Sequence, residues 1–332
     1  MNQLGPTARL DAANSVAAPD LHALTALPRI SIVVPVYRSE QSLPALIDRL
    51  ATVMPTLTSA FEVILVNDCS PDGSWGVVQR LASERQWIRG ISLMRNFGQH
   101  NALLCGIRAA RYELIVTMDD DLQHLPEELP HMLRALDEGM DVVYGAPLEL
   151  SHSAWRNALS KYTKLAMSRA MKIPNIREVN AYRVFRTHLR DAFSQYHSPN
   201  LLLDVLLSWG TTKFMTVRVR HEPRRIGTSN YTLDRLLNQA MLMLTGFSTA
   251  PLRVASFVGF AFTLVGVGVL FYVVGVYFVR GSVPGFPFLA SIISLFSGAQ
   301  LFALGIIGEY IARIFNRSME RPTYVVAYRT DD

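Results

Sequence analysis

The sequence predicts an α/β domain with a mainly parallel sheet, followed by an amphipathic segment and two helices that span a membrane. Three observations predict this fold class. Short β-rich runs alternate with segments of helical periodicity, which is typical of a parallel sheet covered on both faces. Polar clusters follow the ends of these runs. Two uncharged apolar runs, 254–279 and 286–308, each exceed the roughly 20 residues that a helix needs to cross a bilayer.

The runs predicted as strands are 30–37, 61–66, 88–93 and 114–116. The spacing of apolar residues predicts helices at 42–54, from the polar loop after the second strand through Leu81, and at about 99–110. Ligands of parallel sheets bind outside the carboxyl ends of the strands. We therefore expect a binding site where four polar clusters meet, namely 37–40, 67–72, 95–99 and 119–123.

The most informative cluster is Asp119-Asp120-Asp121, which follows the fourth predicted strand. Adjacent carboxylates repel one another, and the cluster is costly unless a cation or a ligand's hydrogen bonds offset that repulsion. In an extended segment Asp119 and Asp121 point the same way and Asp120 points the other way. Two oxygen ligands on one side suit Mg²⁺ or Mn²⁺, with phosphates and waters completing the shell. A solvated acidic turn or a helix N-cap is the alternative.

Composition indicates an ordinary domain plus an apolar part, since half of the 332 residues are hydrophobic and 18% are charged. The net charge of +5 reflects arginines beside the apolar runs, and the loop between the runs carries only Arg280. By the positive-inside rule, the large N-terminal domain is predicted to be cytoplasmic. Basic residues are not interleaved with aromatic residues on one face, so no nucleic-acid partner is predicted. Cys69 and Cys105 lack metal-binding spacing and are expected to be free thiols.

These patterns divide the chain into five parts. Residues 1–27 lack periodicity and are predicted to be a flexible tail, and residues 28–231 form the α/β domain. Residues 232–253 carry one apolar helical face, which suits either the bilayer interface or packing against the domain. Residues 254–308 form the two transmembrane helices, and residues 309–332 form a cytoplasmic tail.

Several common site types are not predicted. No Gly-x-Gly-x-x-Gly follows the first strand and no Gly-x-x-x-x-Gly-Lys occurs, which argues against dinucleotide and P-loop sites. No Ser-His-Asp or Cys-His arrangement is apparent. His100 and His124 lie near the acidic cluster in sequence, but scattered histidines are more often structural.

Four of these blocks resemble the signature blocks of family 2 glycosyltransferases with the GT-A fold: 34–37, 66–72, 95–99 and 119–123. Four further blocks resemble membrane-anchored polyprenyl-phosphate glycosyltransferases: 227–231, 251–253, 308–313 and 321–322. That group includes dolichyl-phosphate mannose synthases, bactoprenol glucosyl transferases and the aminoarabinose transferases of lipid A modification. The resemblance covers nearly the whole chain after residue 30.

The resemblance implies transfer of a sugar, with inversion, from a nucleoside diphosphate to undecaprenyl phosphate or another polyprenyl phosphate. UDP is the expected nucleotide and Mg²⁺ or Mn²⁺ the expected cofactor. It also implies a multi-pass protein of the inner membrane that serves cell-envelope glycan, lipid A or O-antigen modification. A homo-oligomer is expected, and tetramers occur in the family. A catalytically degenerate membrane scaffold, and a transferase that acts on another membrane acceptor, remain as alternatives.

Carried onto this sequence, the family pattern assigns Pro35, Tyr37 and Glu40 to the border of the nucleotide pocket. Asp68 is assigned to the base. Asp119 and Asp121 would hold the metal and the sugar diphosphate, with Gln123 beside them, and Asp121 is counted as catalytic.

A family aspartate near the reaction centre falls on Glu178, whose longer side chain we expect to orient substrate or to act electrostatically. Asn230 stands where the family commonly has lysine, and Asn67 where it frequently has aspartate. Arg224 and Arg225 precede the amphipathic segment and are predicted to bind the acceptor phosphate, since guanidinium groups suit phosphate. The alternative for this pair is flanking charge of the positive-inside kind.

Overall fold

The computed structural model describes residues 28–148, 180–198, 201–222, 250–281 and 285–331. Within these residues, eight strands form one sheet in the order β7-β5-β6-β4-β1-β2-β3-β8. The strands are Ile30–Val36 (β1), Phe61–Asn67 (β2), Ile88–Leu93 (β3), Leu114–Thr117 (β4), Val142–Pro147 (β5), Arg183–Arg186 (β6), Phe214–Val219 (β7) and Val326–Arg329 (β8).

The centre of the sheet is parallel. β1 pairs in parallel with β2 and β4, and β2 pairs in parallel with β3. Beyond this centre, β6 runs antiparallel between β4 and β5, and β8 runs antiparallel to β3. The four predicted strands form this parallel centre, and the prediction of a mainly parallel α/β domain is confirmed. β5 and β7, which also pair in parallel, were not predicted. The carboxyl ends of β1 to β4 consequently meet at one edge of the sheet.

Five helices accompany the sheet: Leu43–Leu57 (α1), Ser74–Glu84 (α2), Gln99–Ala109 (α3), Leu129–Asp137 (α4) and Leu203–Gly210 (α5). Side chains of a strand alternate between its faces. Ile32 and Val34 of β1 therefore lie in a core with α1, α2 and α4, and Val33 lies in the opposite core with α3 and α5. The periodic residues of α1 are buried as predicted, since its buried set includes Leu46 and Leu50.

Two long helices, Ala250–Arg280 (α6) and Phe286–Ser318 (α7), follow the α/β domain. Their segments Pro251–Val279 and Leu295–Ser318 are long and apolar enough to cross a membrane, and the most apolar stretch of each has no buried residue. Large side chains such as Phe257 and Phe271 are instead exposed. Exposed apolar surface of this extent marks membrane association.

The predicted division at residue 309 differs from the structure, because α7 continues to Ser318. The apolar run ends before Glu309, but Glu309 and Arg313 form an i,i+4 ion pair of 2.7 Å that suits a continuing helix. Similarly, α6 begins at Ala250, four residues before the predicted span. Residues 1–27 and 232–249, predicted to be a tail and an interface segment, lie outside the described residues.

The predicted C-terminal tail returns to the α/β domain as β8. The backbone N–H of Thr330 donates to Gly90 O at 3.0 Å, and the N–H of Gly90 donates to Thr330 Oγ1 at 2.8 Å. Asp331 pairs with the nearly buried Arg89 at 2.9 Å, and Arg89 also pairs with Glu62 at 3.0 Å. The C-terminal residues are therefore part of the sheet, although their short polar sequence does not predict a strand.

The approach of α3 to the sheet gives a stability prediction. A Cβ added at Gly106 would lie 2.3 Å from Val33 Cγ1, a distance that a close-packed core cannot accept without a shift. Gly106→Ala is expected to lower the free energy of unfolding by about 1–3 kcal/mol. The matched control is Gly76→Ala on exposed α2, where a new Cβ meets nothing within 4 Å, so that stability should rise by about 0.5–1 kcal/mol. Thermal melting in detergent should show opposite signs, and a stable Gly106→Ala protein would contradict this packing.

Candidate active site

A cavity of about 290 Å³ opens at the carboxyl edge of the parallel strands. Its walls come from the ends of β1 to β4 and from the start of α3, which is where the polar clusters were predicted to meet. The residues that line it are Pro35, Val36, Tyr37, Asp68, Asn96, Gly98, Gln99, Asp119, Asp120 and Asp121. This edge is the place where open α/β sheets bind ligands.

The Asp119–Asp121 triplet is not an extended strand. β4 ends at Thr117, and the chain then bends, with Leu122 in the left-handed region at φ 64°. Strand alternation therefore does not continue through the triplet, and all three aspartates line the same cavity. The three carboxylates differ in the groups that donate hydrogen bonds to them, not in the face of a strand from which they project.

Asp119 and Asp121 are each oriented by a glutamine. Asp119 Oδ1 accepts from Gln99 Nε2 at 2.7 Å, which links the acidic cluster to the first residue of α3. Asp121 accepts twice from Gln123, from the backbone N–H at 3.2 Å and from the side-chain amide at 2.8 Å. Gln123 thus lies beside the acidic cluster, as the family pattern implies, and acts on the cavity through Asp121.

Asp120 is directed toward the end of β1. Its carboxylate accepts from the Ser39 hydroxyl and from the backbone N–H of Tyr37, the latter at 3.4 Å. Burial raises the pKa of Asp120 to about 6, and the charge of Asp121 adds to this rise, while the Ser39 hydrogen bond offsets part of it. Asp120 therefore ties the acidic cluster to the loop after β1.

Asp68 holds the loop that follows β3. Its two carboxylate oxygens accept from the backbone N–H groups of Phe97 and Gly98, at 2.7 and 2.8 Å. Gly98 has φ 92°, a conformation that favours glycine. Burial raises the pKa of Asp68, and the two backbone hydrogen bonds oppose that rise. Asp68 lines the cavity and at the same time fixes the part of the cavity wall that Gly98 forms.

The other predicted site residues divide into two groups. Pro35 and Tyr37 line the cavity, whereas Glu40 is not among the lining residues, and its carboxylate accepts from the Gly73 N–H at 3.1 Å. Glu178 and the Arg224-Arg225 pair lie outside the described residues. Their roles stay predictions.

The sequence did not distinguish the two histidines near the cluster: His124 is buried, whereas His100 is half-buried. Among the described residues, His100 Nδ1 is buried without a hydrogen-bond partner, and burial lowers the pKa of His100 to about 4. His124 is 4% exposed, and its Nδ1 accepts from the backbone N–H of Asp119 at 3.0 Å. Burial, and then the charge of His221, lower the pKa of His124 to about 3. Both rings are therefore neutral near pH 7.

The donor set of the cavity suits a hard divalent cation. Across the described ranges, no cluster of three or more histidine, cysteine, aspartate or glutamate side chains is arranged to hold a metal ion by itself. Asp119 and Asp121 offer carboxylate oxygens at the cavity wall. Magnesium-type ions commonly bind one or two carboxylates and take their remaining ligands from phosphates and water. The residues present fit such an ion.

A mainly parallel sheet with an acidic cluster beyond β4, followed by two apolar helices, defines a membrane-associated glycosyltransferase of the GT-A type. The chain belongs to glycosyl transferase family 2, whose sequence profile matches residues 31–196. The family resemblance seen in the sequence is thereby confirmed.

Curated relatives extend this match over most of the chain. Undecaprenyl-phosphate 4-deoxy-4-formamido-L-arabinose transferases of Yersinia pestis (strain Pestoides F) and of Yersinia pseudotuberculosis serotype O:3 (strain YPIII) are 34% identical over 308 residues. The alignments cover 90% of this chain and 93% of each relative. They extend well beyond residues 31–196.

Comparison with solved structures finds similarity over about two thirds of this chain at lower sequence identity. Glucosyl-3-phosphoglycerate synthase of Mycobacterium tuberculosis, crystallised with Mn²⁺, UDP and phosphoglyceric acid, is 18% identical with a TM-score of 0.49, over 66% of this chain and 76% of that one. Mannosyl-3-phosphoglycerate synthase of Rubrobacter xylanophilus is 16% identical with a TM-score of 0.48, over 65% and 72% of the two chains.

The hydrogen bonds of Asp68 give a testable prediction. Asp68→Asn keeps the size of the side chain but replaces one acceptor oxygen with an NH₂ donor, which would face the N–H of Phe97 or Gly98. We expect a loss of about 1–3 kcal/mol of stability in the 96–98 loop. Hydrogen exchange of this loop measures the effect. Asp137→Asn, a change at an exposed aspartate at the end of α4 and away from the cavity lining, is the control. Unaltered loop exchange in Asp68→Asn would contradict the prediction.

Proposed function

We propose that this protein transfers a sugar from a nucleoside diphosphate to undecaprenyl phosphate, with inversion at the anomeric carbon. The observation that carries the proposal is the cavity lined by Asp68 and by the Asp119–Asp121 triplet, in a chain that also has two apolar helices. The first feature suits a nucleotide sugar with a divalent ion, and the second suits a lipid acceptor. The names of the curated relatives give the same acceptor.

The donor would lie in the cavity with its nucleotide toward Pro35, Tyr37 and Asp68. Asp119 and Asp121 would hold Mg²⁺ or Mn²⁺, which neutralises charge on the leaving diphosphate. Gln99 and Gln123 orient these two carboxylates before any ligand binds. Preorganised groups of this kind need no rearrangement as charge develops on the leaving group. UDP is the nucleotide that we propose.

The acceptor needs orientation more than deprotonation. A phosphate monoester has a second pKa of about 6, so the lipid phosphate is largely dianionic at neutral pH. Glu178 is then an orienting or electrostatic residue rather than an essential base. Asn180, two residues after Glu178, donates its side-chain amide to Gly145 O at 3.1 Å. Glu222, two residues before Arg224, donates its backbone N–H to Gln123 O at 3.2 Å.

The cellular setting follows from the charges that flank the helices. Arg253 lies in the first turn of α6, and Arg313 and Arg317 lie in the last turns of α7. By the positive-inside rule, these charges support a location of the α/β domain on the cytoplasmic face of the inner membrane. There the protein would serve modification of cell-envelope glycan or lipopolysaccharide. A homo-oligomer, with a tetramer as one form, is part of the proposal.

The deciding experiment is mass spectrometry of the lipid product. The purified full-length protein would be incubated with undecaprenyl phosphate, Mg²⁺ or Mn²⁺, and a panel of donors that includes UDP-4-deoxy-4-formamido-L-arabinose, UDP-glucose and GDP-mannose. A glycosylated lipid phosphate supports the proposal and identifies the sugar. Radiolabelled donor with extracted membrane lipid tests for another membrane acceptor. No transfer in either assay would leave the membrane scaffold as the better explanation.

Substitutions in the acidic cluster test the assignment of roles. Asp121→Asn is expected to lower turnover by about 10²-fold or more at saturating Mg²⁺ and Mn²⁺, because it removes a carboxylate from the proposed metal site. Asp120→Asn should be milder, since its carbonyl oxygen still accepts from Ser39 and Tyr37. Steady-state kinetics with both metals measures the difference. Equal losses in the two variants, or full activity in Asp121→Asn, would show the ligand assignment to be wrong.

The arginine pair tests the acceptor site. Replacing Arg224 and Arg225 with glutamine should raise the KM for undecaprenyl phosphate by about tenfold or more and leave UDP binding unchanged. Arg80→Gln, at an exposed arginine on α2, is the control for lost positive charge. Lipid-titration kinetics in detergent and calorimetry with UDP provide the two readouts. An unchanged KM for undecaprenyl phosphate would show that the acceptor phosphate binds at another place in the protein.

A further inference from the structure

His124 contacts the backbone of the acidic cluster. Its Nδ1 accepts from the backbone N–H of Asp119 at 3.0 Å, so that nitrogen carries a lone pair and the ring proton lies on Nε2. The N–H of Met118 still donates to Val33 O of β1, at 3.3 Å. The N–H of Asp119 is the next backbone donor along the chain and lies beyond the end of β4. Its acceptor is the His124 imidazole rather than a carbonyl group of a neighbouring strand.

The ring cannot easily turn away from Asp119. It stacks on Tyr182 with ring centroids 5.1 Å apart and an interplanar angle of 19°, and the edge of His221 packs against it at 5.3 Å and 86°. His124 and His221 also pair through an antiparallel backbone bridge. The Tyr182 hydroxyl donates to Leu125 O at 2.8 Å, which fixes the chain just after His124. The acceptor nitrogen is therefore held in place before any ligand arrives.

The same contacts join three parts of the site. The Asn180 side chain lies 3.1 Å from His221 Nε2 and donates to Gly145 O at 3.1 Å. Asn180 follows Glu178 by two residues, and His221 precedes Arg224 by three. His124 thus connects the acidic cluster with His221, and through it with Asn180.

We propose that His124 is a positioning residue for Asp119, and that its Nδ1 lone pair sets the direction in which Asp119 presents its carboxylate to the cavity. Without this acceptor the peptide between Met118 and Asp119 loses its buried hydrogen bond, and a small rotation of that peptide moves the carboxylate. Residues that orient metal-binding groups in this way commonly change metal affinity by about 10–100-fold when they are replaced. The inference rests on the proposed role of Asp119 as a metal-binding residue.

Three variants of the full-length protein separate positioning from packing. In His124→Asn, the Oδ1 atom stands the same number of bonds from Cα as Nδ1 and restores an acceptor. His124→Gln carries the same amide one bond further out, toward the place of Nε2. His124→Phe keeps a ring that stacks on Tyr182 but has no acceptor. The Asn and Gln variants form the matched pair, and they remain informative if the Phe variant does not fold.

Two readouts do not depend on turnover. Hydrogen–deuterium exchange of the peptide that contains Asp119, without metal, should be faster by about tenfold or more in the Gln and Phe variants, and close to the unsubstituted protein in Asn. Calorimetric titration of UDP in the presence of Mn²⁺ should show weaker binding, again by about tenfold or more, in Gln and Phe.

The outcomes distinguish this inference from the proposed function. Equal behaviour of the Asn and Gln variants, or unaltered exchange and Mn²⁺-dependent UDP binding in Phe, would overturn the positioning role. Asp119→Asn is measured alongside them. If that variant retains Mn²⁺-dependent UDP binding, the metal role of Asp119 is wrong, whereas the exchange data still decide whether His124 holds the Asp119 backbone.

Discussion

Repulsion among the three adjacent carboxylates at the end of β4 is the constraint on which the rest of the site depends. The chain does not relieve this repulsion by dispersing the aspartates into solvent, since all three line one cavity. It gives each carboxylate its own hydrogen-bond donors from a different place: the start of α3, the loop after β1, and Gln123. Hydrogen bonds to the charged form offset part of the electrostatic cost, and a bound cation would offset the remainder.

The sequence could predict the parallel centre of the sheet because its strands are continuous β-branched and aliphatic runs. β3 has the predicted bounds, and β1, β2 and β4 differ from the predicted bounds by one residue at an end. Strands β6 and β8, which pair in antiparallel, could not be predicted from the sequence, and the reason is physical. β6 carries arginine at both ends and β8 ends in arginine, so neither has the apolar pattern of a buried strand. Their long-range partners make them strands: β4 and β5 pair with β6, and β3 pairs with β8.

In the candidate site too, some residues could be selected from the local sequence, whereas the roles of others depend on long-range contacts. Pro35, Tyr37, Asp68, Asp119 and Asp121 could be selected from sequence because polar residues at the ends of parallel strands share one edge. The role of His124 could not, because it depends on the orientation of one ring nitrogen and on the packing of Tyr182 and His221. Asp120 could not be placed by strand alternation either, because β4 ends three residues earlier, at Thr117.

The pairing of β8 with β3 has a mechanical consequence. β7, the last described strand before the apolar helices, forms one border of the sheet, and β8, the first strand after them, forms the other. Seven strand spacings of about 4.8 Å separate these borders, up to about 34 Å across the sheet. Within the described residues, only the seven residues between Ser318 and Val326 join α7 to β8. The pairing of β8 with β3 therefore fastens the C-terminal end of α7 to the border of the sheet opposite β7, and any rotation of the sheet relative to α7 has to be accommodated by those seven residues.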